Sequence, residues 1–183
     1  ANLHLQATKM QFNGDTPIEI AKTQKIIIEA SQTIRDLSHT LVSSVLLKFG
    51  LNYAIKDMAE KYSNSQITME TEVLNVGRFH QSFEIKVYNI VHELVNNILK
   101  HSNAKRAIVR MKDVGNLLTI EIQDNGDGFD KKVIPEKDGL GINQIDARIQ
   151  MMKGTFVIDS ILNKGTKISV TLPVFEKDAI VNA

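Results

Sequence analysis

Glu93 and Asn97 stand four residues apart in a segment with helical periodicity, so a carboxylate and an amide oxygen share one face, with Asn96, Lys100 and His101 on the same or the next turn. Such a pair suits a hydrated Mg²⁺, a hard cation that takes oxygen ligands and keeps several waters. It also describes an ordinary solvated helix face. Asp124-Asn125-Gly126-Asp127-Gly128 follows a strand-like run that ends at Gln123. Two glycines after a strand-terminal Asp let a ligand approach the backbone, and a buried carboxylate there can accept a hydrogen bond from an exocyclic amine such as that of adenine. Read without its neighbours, Asp-Asn-Gly is a common turn. Gly139-Leu140-Gly141 opens a helix, where exposed backbone N–H groups can receive phosphate oxygens, although a lone Gly-x-Gly is also a simple turn into a helix. The last short piece, Gly165-Thr166, fits a hairpin corner.

These pieces need elements to hold them. Ile67, Met69 and Val73 alternate as in a half-buried strand, and a long helix is expected from about Gln81 to His101, with Phe83, Val87, Ile90, Val91, Leu94 and Ile98 inward. Ala107, Val109 and Met111 alternate, as do Leu118, Ile120 and Ile122, joined by the hairpin-like Asp113-Val114-Gly115-Asn116. A helix carrying Ile142, Ile145, Ile149 and Met152 precedes two more strands, 155–161 and 167–174. The pattern predicts an α+β sandwich: an open mixed sheet with helices on one face.

Upstream, Leu3, Ala7 and Met10 share a face of a helix stub closed by Asn13-Gly14-Asp15, and Thr16-Pro17-Ile18-Glu19 reads as a capping box. Ile20, Thr23, Ile27, Ala30, Ile34, Leu37 and Leu41 then follow spacings of three and four, a heptad seam that a lone helix cannot bury. A helical hairpin over residues 1–48 is expected to pair with a second copy as a homodimer. Gly50 interrupts the pattern, and Leu51, Ala54, Ile55, Met58 and Tyr62 begin the second domain, 49–183.

Composition narrows the partners. The formal net charge is +1 across 183 residues, which argues against broad capture of nucleic acid or an acidic membrane, so any bound anion is held locally. The absence of cysteine excludes disulfides, thiolate metal sites and cysteine nucleophiles, and is compatible with a cytoplasmic setting. No apolar run approaches the roughly 20 residues of a membrane-spanning helix. The abrupt helical start suggests a fragment.

Taken in order, Glu93 through His101, Asp124-x-Gly126-x-Gly128, Gly139-x-Gly141 and Gly165-Thr166 match the N, G1, G2 and G3 boxes of one ATP-binding fold. The chain resembles the ATPase domain shared by sensor histidine kinases, DNA gyrase and MutL, the Bergerat-type sandwich. Asn-x-x-Lys-His-Ser and Gly-Leu-Gly-Ile point to the histidine kinases, in particular the NarL-like group with short lids. Residues 34–51 look like the end of that group's second dimerisation helix and the start of its ATPase domain.

The resemblance implies that Asn97 ligates Mg²⁺, that Asp124 reads the adenine amine, and that Gly126, Gly128, Gly139, Leu140 and Gly141 let the backbone close around ATP. Thr166 would support the Asp124 end of the pocket, and Lys100 and His101 are placed to approach phosphates, or simply to complement the helix dipole. Glu93, whose counterpart in the gyrase branch activates water, is expected to polarise the Mg²⁺ shell or assist proton transfer. The stretch from Phe129 to Asp138, with Lys131, Lys132 and Lys137, should be the ATP lid. The implied activity is transfer of the γ-phosphate to a histidine and thence to a response-regulator receiver domain.

Neither hairpin histidine, His4 nor His39, is followed by the expected acid, so the acceptor is expected upstream of Ala1. The proline common after the second helix and the family's Leu-Gly-Gly, here Met152-Lys153-Gly154, are also absent. Two other functions share the nucleotide boxes: a nucleotide-gated partner-binding module, and a serine kinase of the anti-sigma type, which needs no heptad seam.

Overall fold

The computed structural model describes residues 44–130 and 140–174, with the backbone alone at Leu140. The heptad seam, the lid lysines Lys131, Lys132 and Lys137, and Gly139 lie outside the described residues. The chain divides between Val42 and Ser43, and everything described belongs to the second unit.

The first helical segment, α1 (Ser44–Tyr62), is interrupted at Gly50 as the sequence pattern predicts, where φ 82° and ψ −179° are non-helical and kink one helical stretch against the next. A left-handed φ suits glycine, and Arg78 makes the site tighter still: a Cβ here would fall 2.6 Å from its Cδ. Beyond the kink, Leu51, Ala54, Ile55 and Met58 are buried, as the helical spacing predicts. Arg78 in turn reaches Glu84, with Nε 3.2 Å from Oε1, and the Phe79 N–H donates to the same oxygen at 3.1 Å. Glu84 is only 1% exposed. Its place within an apolar helix face carries no motif in the sequence.

The remaining elements are β1 (Thr68–Leu74), α2 (Gln81–His101), β2 (Arg106–Val114), β3 (Leu117–Asp124), α3 (Leu140–Met151), β4 (Thr155–Ile161) and β5 (Gly165–Pro173). They form one five-stranded sheet in the order β1-β2-β3-β5-β4. Only β1 and β2 run parallel, joined through α2, and the other neighbours are antiparallel. The expected mixed sheet is therefore present.

Period-2 alternation sends Ala107, Val109 and Met111 of β2, Leu118, Ile120 and Ile122 of β3, and Ile168, Val170 and Leu172 of β5 into the core. They share that core with Val87, Ile90, Val91, Leu94, Val95 and Ile98, the apolar stripe of α2. Each of the Val, Leu, Ile and Met side chains among them contributes about 1.5–3 kcal/mol on burial. Phe83, expected inward, is half-buried, and Val95 is fully covered. The opposite face of the sheet carries ions paired across strands: Arg106 with Glu70, Arg110 with Glu72 and Glu121, and Lys167 with Glu121. Such partly exposed pairs each add little to stability.

The last strand begins two residues before the expected Lys167. Ser160↔Thr166 and Ile161↔Gly165 extend the β4–β5 ladder to the corner itself, and Gly165 takes the left-handed backbone the turn requires, with φ 90°. Helix α3 is shorter than expected. It buries Ile145 and Ile149 and ends at Met151, leaving Met152 in the turn beyond.

Candidate functional site

The inward row of β3 ends on a charged residue. Leu118, Ile120, Ile122 and Asp124 alternate on one face, so the pleat that buries three apolar side chains also carries a carboxylate inward, and Asp124 is 6% exposed. Its Oδ1 accepts from the Gly126 N–H at 2.8 Å, and the Thr166 N–H also donates to the carboxylate. Burial lifts the Asp124 pKa above the ordinary carboxylate value, and the two N–H bonds oppose that lift without cancelling it. A buried acceptor at the end of a strand, fixed by two loops, is suited to a polar ligand edge.

The loop after Asp124 is locked to the end of α2. A Cβ at Gly126 would lie 2.0 Å from the Ser102 carbonyl oxygen, and the Asp127 N–H donates to that same oxygen at 2.7 Å. Ser102 caps α2 through its own N–H and hydroxyl, both donating to the Ile98 carbonyl. Two side chains whose long-range partners carry no signal in the sequence tighten the seam. Asn125 Oδ1 accepts from the Lys105 and Arg106 N–H groups at 2.9 and 2.8 Å, and Asn103 Nδ2 donates to Asp127 Oδ2 at 2.7 Å. Asn-Gly spacing advertised a turn, not this clamp.

Gly128 meets the other wall. Its φ is 57°, and a Cβ would fall 2.2 Å from the Ile161 carbonyl oxygen and 2.8 Å from that of Gly165. The structure thus joins the end of α2, the Asp124–Gly128 loop and the Gly165–Thr166 corner. Gly141 differs. It stands in the first turn of α3, and among the described residues no atom lies within 4 Å of its would-be Cβ, so none of these demands glycine there. Leu140 opens that helix.

On α2, Glu93 and Asn97 are both half-buried, and Lys100 and His101 are exposed on the last turn before Ser102. Among the described residues no group of three or more His, Cys, Asp or Glu side chains could hold a metal ion. The half-buried Asn97 amide oxygen, one turn from the Glu93 carboxylate, is an oxygen donor of the kind a hydrated divalent cation accepts. His92 directly precedes Glu93, so the chain does contain a His–acid pair, but on α2. Its imidazole is engaged with the Tyr62 hydroxyl at 2.9 Å and Asn96 Nδ2 at 3.2 Å and stacks on Tyr88. A depression of about 300 Å³ is lined on the opposite sheet face by Glu70, Glu72, Arg106 and Arg110 and reaches Asp124 and Asn125 at the end of β3. The two Arg and two Glu are already matched with one another.

Comparison with known proteins agrees with this geometry. Residues 83–176 match the family described as histidine kinase-, DNA gyrase B-, and HSP90-like ATPase. The chain is 27% identical over 177 residues to the oxygen sensor histidine kinase NreB of Staphylococcus carnosus, covering 94% of this chain and 51% of that protein. It is 28% identical over 151 residues to an uncharacterized sensor-like histidine kinase of Chloroflexus aurantiacus, covering 80% of this chain and 25% of that one. The chain thus spans about half the length of NreB and a quarter of the second relative. Among solved structures, the Acinetobacter baumannii histidine kinase AdeS superposes with a TM-score of 0.58 at 14% identity, covering 96% of this chain and 94% of that chain. The Erythrobacter litoralis EL346 blue-light activated histidine kinase gives 0.58 at 14% identity, covering 68% and 41%. At such identity the likeness is one of fold.

Proposed function

Because the chain belongs to the histidine kinase-, DNA gyrase B- and HSP90-like ATPase family and carries the ATP-binding catalytic region of a sensor histidine kinase, we propose that it delivers the γ-phosphate of ATP to a histidine, from which an aspartate of a response-regulator receiver domain takes it. The observation that carries the site assignment is the buried Asp124 carboxylate, held by the Gly126 and Thr166 N–H groups at the meeting of two glycine-containing loops. In this reading Asp124 accepts from the adenine amine. Gly126 and Gly128 bring backbone close to the nucleotide, and Gly139, Leu140 and Gly141 offer the N–H groups of the α3 N-terminus to phosphate oxygens.

Asn97 would hold Mg²⁺ through its amide oxygen, and the ion would offset phosphate charge. One turn earlier, Glu93 orders the surrounding water or accepts the proton released by the acceptor imidazole. Lys100 and His101, exposed beside these groups, approach the phosphates. Phosphoryl transfer depends mostly on in-line placement and charge stabilisation, so the protein's task is to hold two partners in register. We assign residues 1–48 to a dimerising helical hairpin and 49–183 to the ATP-binding domain, with the acceptor histidine upstream of Ala1.

Incubation with γ-labelled ATP tests the reading. A chain extended upstream through the first hairpin helix should gain acid-labile, alkali-stable label, whereas the 183-residue chain and the extended Asn97→Ala variant should not. Acid-stable label on a hydroxyl side chain would refute histidine transfer in favour of a serine kinase.

A further inference from the structure

The β4 strand carries a polar residue into the core for which the nucleotide boxes give no reason. Ser160 is 8% exposed, and its hydroxyl oxygen lies at the junction of three segments. The Phe129 N–H donates to Oγ at 2.9 Å, Thr166 Oγ1 lies 2.9 Å away, and the Gly165 carbonyl oxygen is 3.3 Å away. A hydroxyl has one proton and two lone pairs. With Ser160 donating to Gly165 and Thr166 donating to Ser160, all three capacities are used, and no other assignment satisfies the Gly165 carbonyl from this group.

We propose that Ser160 is a positioning residue for nucleotide binding, tying the Thr166 corner that holds Asp124 to the backbone leaving the Gly128 turn. The relay is continuous: Asp124 accepts from the Thr166 N–H, the Thr166 hydroxyl meets Ser160, and Ser160 accepts from Phe129. Between its ends lies Gly128, whose missing Cβ leaves 2.2 Å to the Ile161 carbonyl, directly after Ser160 in the chain. The Asn163 N–H donates to the Asp127 carbonyl at 2.5 Å, a second tie between the same two segments. Ser160 touches no ligand in this account. It sets the distance between the residue that reads adenine and the loop wall opposite, and the proposal rests on the reading of these loops as an ATP site.

Loss of the hydroxyl leaves the part-buried Phe129 N–H and the Thr166 hydroxyl without a common partner, which frees the corner to shift. Ser160→Ala removes it, and Ser160→Cys keeps nearly the same volume with a thiol that is a weak donor and acceptor. Ser160→Thr restores the hydroxyl on a side chain that strands favour. Titration of the 183-residue chain with Mg-ATP and with Mg-ADP, alongside thermal melting, separates positioning from simple destabilisation.

Both Ser160→Ala and Ser160→Cys should lose about tenfold in affinity for ATP and for ADP alike, because the adenine end is shared, while Ser160→Thr stays within about threefold of wild type. Folded Ala and Cys variants that bind both nucleotides as tightly as wild type, or a Thr variant as impaired as Ala, would overturn the proposal. A wild-type chain that binds neither nucleotide would overturn the ATP reading itself, which distinguishes the two failures.

Discussion

A carboxylate at an inward position of a strand must be compensated, because burial disfavours its charged form. Asp124 is compensated only in part by the Gly126 and Thr166 N–H groups, and its pKa stays above the ordinary value. The sign of the pH effect follows. The folded chain binds the Asp124 proton more readily than the unfolded chain, so this group stabilises fully below the ordinary carboxylate pKa, and that contribution is lost as pH rises through the elevated folded value. The stability of wild type relative to Asp124→Asn should therefore grow as pH is lowered through the window just above the ordinary carboxylate pKa. Urea denaturation of both chains across that range measures the difference. A relative stability that falls on acidification would mean that the hydrogen bonds outweigh burial. Affinity for adenosine should move the other way, weakening as the carboxylate takes up its proton.

The elements position this group through glycine contacts of two kinds. Gly126 presses on the Ser102 carbonyl, with no room for a Cβ, so Gly126→Ala should cost about 1–3 kcal/mol of stability as the loop is pushed off the end of α2. Gly141 has no described neighbour, so Gly141→Ala should melt as wild type yet bind Mg-ATP more weakly, because its Cβ occupies space that the account gives to phosphate. Melting curves paired with nucleotide titration separate the two, and equal loss of stability in both variants would contradict the distinction. The sequence makes this scale readable in an uneven way. Strand alternation and the stripe of α2 predicted the sheet, its core and the inward placement of the β3 residues, because period 2 and period 3.6 are direct consequences of backbone geometry. The same periodicities could not show that the Arg78 side chain packs against Gly50, since it reaches there from another part of the chain. Nor could they show Ser160, Asn125 or Asn103, whose hydrogen bonds form only after strands and loops distant in sequence have met. Ordered glycine boxes located the loops, and long-range polar contacts hold them.

At the scale of the molecule, binding and transfer separate. The described unit carries the elements for gripping ATP, and the proposed acceptor and dimer interface belong to the hairpin and to what precedes it. His92, which has the acidic neighbour an acceptor would need, is tied into α2 by Tyr62, Asn96 and Tyr88, so a His–acid dipeptide does not by itself identify the nucleophile. The central claim is that this unit holds ATP through Asp124, and calorimetric titration of Mg-ATP into the wild-type chain and Asp124→Asn tests it most directly. The amide substitution turns one acceptor oxygen into a donor facing the adenine amine. Wild type should bind saturably and the variant should lose about 1–3 kcal/mol, roughly five- to 150-fold in affinity. A folded Asp124→Asn chain that binds ATP as tightly as wild type would contradict it.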